Sequence, residues 1–257
     1  MAWAPDGPPL GSIGLLHGVT SSARTWWRLG PALAAAGWAV TAVDLPGHGE
    51  GPRPRDGLAI MSALAEGAVG ALPDQMTVLV GHSLGAIVAL EAPARYPKLA
   101  KGIVLEDPPG MADLDTALLA AGVEAEGKAA KAHRDAYWQR VRHDNPDWDD
   151  EDVEHHVASF EAADTPAIAE ALRAGLYWDL PGLIAALKVP VLVIAAPVIG
   201  SSFLLEGGSA LRGEDREAVR ALVAEDRFVE LKGGHSLHRD HSASIAALIG
   251  SFARSVA

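Results

Sequence analysis

The 257-residue chain contains no cysteine, which excludes a disulfide framework and any thiolate nucleophile. Positive charge is also scarce. There are 21 Lys and Arg against 33 Asp and Glu, a formal net charge of −12. Such a surface repels DNA, RNA and anionic lipid, so neither a nucleic acid nor a membrane is expected as a partner. No run of about 18 apolar residues is free of charge or strong breakers, and no membrane span is predicted. The opening MAWAPDGPPL lacks the basic and apolar regions of a signal peptide, which leaves the cytoplasm as the expected location. His155 and His156 follow Glu154, but H-x-x-x-H with a helical glutamate is absent, so no metal site is expected. What the chain has in quantity is apolar: 49% of residues are hydrophobic, enough to fill the core of one α/β domain of this length.

Short apolar runs alternate with helical patterns. Strands are predicted at 12–16, 38–43, 76–80, 102–105, 189–195 and 227–231. Helices are predicted at 25–36, ended by Gly37, and at 57–72, 84–94, 214–224 and 241–256. Strands apolar on both faces and separated by helices imply a mostly parallel sheet covered by helices, built from right-handed crossovers. The stretch 111–187 breaks this rhythm. It has no convincing strand and carries Tyr137, Trp138, Trp148, Phe160, Tyr177 and Trp178. It is predicted to be a helical cap inserted into a core of 1–110 and 188–257. The sheet is complete without it, so its replacement by a linker is expected to cost specificity more than fold. Its acidic run 147–152 is expected to be a solvated helix start.

The densest chemical signal is Gly81-His82-Ser83-Leu84-Gly85, between a strand and a helix. G-x-S-x-G in that context is a nucleophile elbow. The turn is sharp, the serine is strained, and a side chain at either glycine would crowd it. A serine needs a base, and the base an orienting acid. The favoured base is His235, in a Gly-Gly loop after the last strand. The rival His238 is expected to fix that loop with Arg239 and Asp240. The Leu84 N–H opens a helix and has no helical partner. The Val19 N–H follows the turn at Gly18. Together they form the expected oxyanion hole, with His17 holding the loop by hydrogen bonds.

These motifs resemble the α/β-hydrolase superfamily over nearly the whole chain: His17-Gly18, Asp44-Leu45-Pro46-Gly47-His48-Gly49, the Ser83 elbow, Pro190–Ile194 and Gly234-His235. The resemblance implies the α/β-hydrolase fold, Ser83 as nucleophile, His235 as base, and hydrolysis of esters, lactones, amides, epoxides or carbon–carbon bonds. A serine nucleophile argues against the halide and epoxide branches. There are two departures. The first strand begins so near Met1 that the family's initial antiparallel pair must be shortened or missing. The stretch 195–203, where the family commonly places its acid, has no carboxylate, and Glu206 is late. Certain lipases and the zearalenone lactonases take their acid from the end of the preceding strand, here Glu106-Asp107-Pro108. Strand neighbours point to opposite faces, so one carboxylate is expected to reach His235. Glu106 is favoured for its longer arm and Asp107 is assigned to the turn, with Glu206 or Asp215 as fallbacks.

The implied activity is cofactor-free cleavage of a carboxylic ester or lactone through an acyl-enzyme, the substrate being a bulky lactone such as zearalenone. Trp26, Trp138 and Trp178 are the first candidates to line the pocket, with Trp27 and Trp148 beside them. Carbon–carbon hydrolysis of a diketone and non-catalytic binding are the alternatives. A monomer or homodimer is expected.

Overall fold

The computed structural model describes residues 1–53, 61–112, 114–202 and 208–257. The start of the helix expected from Gly57, and Glu206, lie outside them. Seven strands are found among the described residues: β1 Ala2–Trp3, β2 Ser12–Leu16, β3 Ala39–Val43, β4 Met76–His82, β5 Ala100–Glu106, β6 Val191–Ala195 and β7 Phe228–Glu230. Their order across the sheet is β1-β3-β2-β4-β5-β6-β7. All neighbours are parallel except β1, which runs antiparallel to β3 with Ala2 opposite Thr41. This antiparallel strand is two residues long.

The strands alternate between two cores, as a period of two requires. Val78, Val80, Val104, Leu192 and Ile194 face one side, with Ile245 and Ile249 of the last helix, Ser242–Val256. Leu79, Ile103, Leu105 and Val193 face the other, with Ile87 and Leu90 of the helix Leu84–Arg95. Burial on both faces is why β4 reads MTVLVGH without a polar face.

The helix expected over 25–36 is divided into a 3-10 turn, Ala23–Trp26, and a helix, Leu29–Ala35. Pro31 explains the division, because proline is tolerated only in a first turn. Gly37, at φ 98°, ends the element as expected.

Between β5 and β6 the described residues form helices and no strand: Thr116–Ala132, Arg134–Asp144, Asp150–Ala162, Thr165–Arg173 and Leu180–Ala186. Three begin on aspartate N-caps: Asp115, Asp164 and Asp179 accept from the N–H groups of Leu118, Ala167 and Gly182. The acidic run does start the helix Asp150–Ala162, but it is not wholly solvated. Asp152 is buried, ion-paired to Arg28 and hydrogen-bonded by Trp27 Nε1 at 2.9 Å. These helices are not a detached layer, since Ile168, Leu172, Trp178 and Ile184 join the same core as Leu79 and Leu105. Among the described residues, no helix is long and apolar enough to cross a membrane.

Candidate active site

Val19, Ser83 and His235 follow the carboxyl ends of β2, β4 and β7, and Glu106 ends β5, where open α/β sheets form their crevices. Ser83 follows β4 at φ 51° and ψ −121°, a conformation costly for a residue with a Cβ. The flanking glycines are required by space. A Cβ on Gly81 would lie 2.1 Å from the Gly85 carbonyl oxygen, and one on Gly85 would lie 2.4 Å from that of Leu16. The helix begins at Leu84, whose N–H has no acceptor one turn back.

Across from the elbow runs the loop after β2. A Cβ on Gly18 would stand 2.9 Å from His82 Nδ1 and 3.1 Å from Ser83 Cβ, so glycine is needed there for close approach. The left-handed residue of this loop is Thr20, at φ 57°. His17 holds the loop as expected: Nδ1 donates to the Gly18 carbonyl at 2.8 Å and Nε2 accepts from the Leu45 N–H at 3.0 Å. Val19 and Leu84 both line the cavity in front of Ser83.

The carboxylate against His235 is Asp107, not Glu106. His235 Nδ1 stands 2.6 Å from Asp107 Oδ2. Asp107 is fully buried and accepts three further bonds, from the Ala196 N–H (3.0 Å), Ser209 Oγ (2.6 Å) and the Ala210 N–H (2.8 Å). The expected pairing of Glu106 with His235 failed because strand alternation stops at the strand end. β5 ends at Glu106, and Asp107 takes a left-handed φ of 42°, which redirects its side chain. Asp215 is not a substitute acid, since it accepts from the N–H groups of Met111 and Ala112.

Glu106 supports the other histidine. Its Oε1 accepts from the His238 backbone N–H and from Nδ1, both at 2.8 Å, while His238 Nε2 meets Thr25 Oγ1 at 2.7 Å. His238 therefore fixes the loop, as expected. Burial raises the Glu106 carboxyl to about 7 and pushes His238 and His82 well below the usual imidazole range, so both rings are neutral. His82 Nε2 donates to the His235 carbonyl at 3.0 Å. His82, Glu106 and His238 bring potential metal ligands within 4.8 Å of one another. Both His238 nitrogens are already engaged within the protein, and the trio reads as a hydrogen-bonded strut behind His235.

Ser83, His235, Val19 and Leu84 open on one cavity of about 320 Å³. Its wall is largely apolar, with Leu114, Leu119, Ile168 and Leu172 among the lining residues. Of the tryptophans, Trp178 and Trp148 line it, and Trp178 Nε1 donates to the Pro109 carbonyl at 2.7 Å. Trp26 does not: it is fully buried in the core, with its ring 4.5 Å from that of His238. Trp138 does not either, and packs on a satellite cluster around Tyr137 and Val153. Sequence reasoning missed Ser209, which holds Asp107, and Arg239 and His156, which line the cavity. No local pattern marks them, because their partners are distant in the chain. A hydroxyl, an imidazole and a buried carboxylate around one cavity are the parts that acyl transfer to serine uses.

A family model described as alpha/beta hydrolase fold matches residues 12–187. The chain is 30% identical over 226 residues to a monoacylglycerol lipase of Mycolicibacterium smegmatis, covering 79% of this chain and 78% of the lipase. It is 33% identical over 201 residues to a pimeloyl-[acyl-carrier protein] methyl ester esterase of Neisseria meningitidis, covering 70% and 71%. Among solved structures, E-2-(acetamidomethylene)succinate hydrolase superimposes with a TM-score of 0.74 at 22% identity, covering 98% of this chain and 92% of that one. The thermophilic esterase of Thermogutta terrifontis does so with a TM-score of 0.72 at 21% identity, covering 100% and 92%.

Proposed function

The chain belongs to the α/β-hydrolase fold family, and on that premise we propose that it is a serine hydrolase cleaving a carboxylic ester or lactone through an acyl-enzyme. The observation that carries this reading is the His235–Asp107 contact of 2.6 Å on the wall of the cavity that Ser83 also lines. The lipase and esterase names of two relatives support an ester as the substrate.

Ser83 Oγ attacks the substrate carbonyl while His235 Nε2 takes its proton. Asp107 holds the imidazole with Nδ1–H toward the carboxylate and stabilises the imidazolium that forms. The carbonyl π pair moves onto oxygen, where the Val19 and Leu84 N–H groups meet it. The tetrahedral species collapses, the C–O bond to the leaving alcohol breaks, and His235 returns the proton to that oxygen. Water then repeats the sequence on the acyl-enzyme, with His235 as base, and frees the acid and Ser83. In a lactone the alcohol stays tethered to the acyl group. Glu106 takes no part in proton transfer; with His238 and His82 it positions the His235 loop.

The test is labelling with a fluorophosphonate, located by mass spectrometry, together with turnover of 4-nitrophenyl esters. Adduct at Ser83 and its loss in Ser83→Ala are expected. Full labelling or turnover in that variant would overturn the reading. A diketone offered beside the ester distinguishes carbon–carbon hydrolysis by its products.

A further inference from the structure

Arg239 lines the same cavity and is only 5% exposed. Among the described residues, its hydrogen-bond partners are all neutral. Nε and Nη2 donate to Thr25 Oγ1 at 3.2 and 3.1 Å, and Nη1 to His156 Nδ1 at 3.4 Å. Thr25 gives its own proton to His238 Nε2, so its lone pairs face the guanidinium. His156 is neutral, pushed down to about 3 by burial and then by the charge of Arg239 itself. The guanidinium carbon lies 4.3 Å from the centroid of the Trp148 ring, and Trp148 also lines the cavity.

No carboxylate among the described residues stands within 4.0 Å of this cation. The acids that act on it from farther away are Asp152, Glu106 and Asp240. Each is engaged elsewhere: Asp152 by Arg28 and Trp27, Glu106 by His238, and Asp240 by the Gly234 N–H at 2.8 Å. Burial lowers the guanidinium only to about 10, so it is charged at neutral pH. A guanidinium has five N–H donors, and the bonds above use three. One hydrogen on each Nη is left, the pair of nitrogens that grips a carboxylate side by side. Desolvating a cation without a counter-charge is costly. Tying Thr25 to the His238 turn needs no charge, since a neutral amide would serve.

We propose that Arg239 is a carboxylate-binding residue, and that the ester or lactone cleaved here carries a free carboxylate held by its guanidinium over Trp148. The substrate assignment rests on the hydrolase reading; the carboxylate site itself does not. A neutral macrolactone such as zearalenone would leave the two donors unanswered.

Calorimetry on the Ser83→Ala protein separates the two claims, because it needs no turnover. Monomethyl glutarate is expected to bind tighter than its neutral dimethyl ester by on the order of 30-fold, the size of a charge-assisted pair of hydrogen bonds. In Ser83→Ala/Arg239→Gln that ratio should fall to within about threefold, and Arg239→Lys should keep part of it because the charge remains. Equal binding of acid and diester, or a preference that survives Arg239→Gln, would overturn the proposal. The comparison in Ser83→Ala alone leaves Arg239 intact, so a misfolded Arg239 variant cannot shelter it. A carboxylate preference in a protein that neither labels nor turns over would overturn the hydrolase reading and still support the site.

Discussion

Glu106 and Asp107 are adjacent, both fully buried, and each holds a different histidine. Their substitutions should therefore separate. Asp107→Asn places an amide NH₂ against donors whichever way it turns, since both carboxylate oxygens accept two bonds. A fall in kcat of about 10³ or more is expected, by analogy with the aspartate of serine proteases. Glu106→Gln keeps an acceptor for His238 and should retain kcat within about tenfold. Steady-state assay of both variants checks this; a dead Glu106→Gln with an active Asp107→Asn would reverse the assignment. Glu106 also makes stability depend on pH. Its carboxyl is raised from 4.5 to about 7 in the folded protein, so the unfolded chain loses that proton first. The penalty is absent below pH 4.5, grows as pH rises to about 7 and is complete above it. At about 1.4 kcal/mol per pH unit it reaches roughly 3 kcal/mol. Glu106→Gln, which cannot ionise, should gain in Tm over the parent as pH rises from 5 to 8. A gap independent of pH would contradict this.

The elbow stores strain that a variant can release. Ser83 sits at φ 51°, where glycine has no Cβ penalty. Ser83→Gly should be inactive yet more stable than Ser83→Ala, by about 1 kcal/mol in denaturant unfolding. Equal stabilities would mean that the helix and strand relax around the turn. Gly85→Ala, by contrast, drives a Cβ to 2.4 Å from a backbone oxygen, and no rotamer change relieves that contact. The cap is fastened to the core by Arg28, paired with buried Asp152 and donating to the Arg239 carbonyl at 2.7 Å. Arg28→Met strands the Asp152 charge. It should cost about 3 kcal/mol by urea titration, and a loss under about 1 kcal/mol would show that Trp27 alone satisfies Asp152.

For the molecule entire, the cap is where expectation and packing part. A βα pattern that is complete on either side of the insertion makes the insertion look removable. Yet Ile168, Leu172, Trp178 and Ile184 complete the core that β4, β5 and β6 present on that face. Replacing 111–187 by a linker would expose that core. The product should bind a hydrophobic dye and lose cooperative melting; a cooperative melt with intact near-UV dichroism would show the sheet to be self-sufficient.

The sheet, its parallel sense, the elbow and the His235 loop were legible in the chain itself. Apolar periodicity and glycine punctuation are local consequences of backbone sterics and burial, and G-x-S-x-G is readable because its sharp turn lies between a strand and a helix: Gly81 is demanded by Gly85 four residues on, though Gly85 itself is demanded by the distant Leu16 carbonyl. The choice between Glu106 and Asp107 was not legible, since it depends on one left-handed residue just past a strand end, stabilised by Ala196, Ser209 and Ala210 from another part of the chain. Nor was the division of the tryptophans. An aromatic residue carries no mark of whether it will meet core or cavity, and Trp26 and Trp178 differ only in what folds over them. Arg239 is the extreme case: one basic residue in a polar turn becomes a buried cation because Trp148, the helix Asp150–Ala162, Thr25 and the strand end at Glu106 converge on it. Residues whose role depends on neighbours close in sequence can be read from the chain, while those whose role depends on partners a hundred residues away take their meaning from the assembled fold.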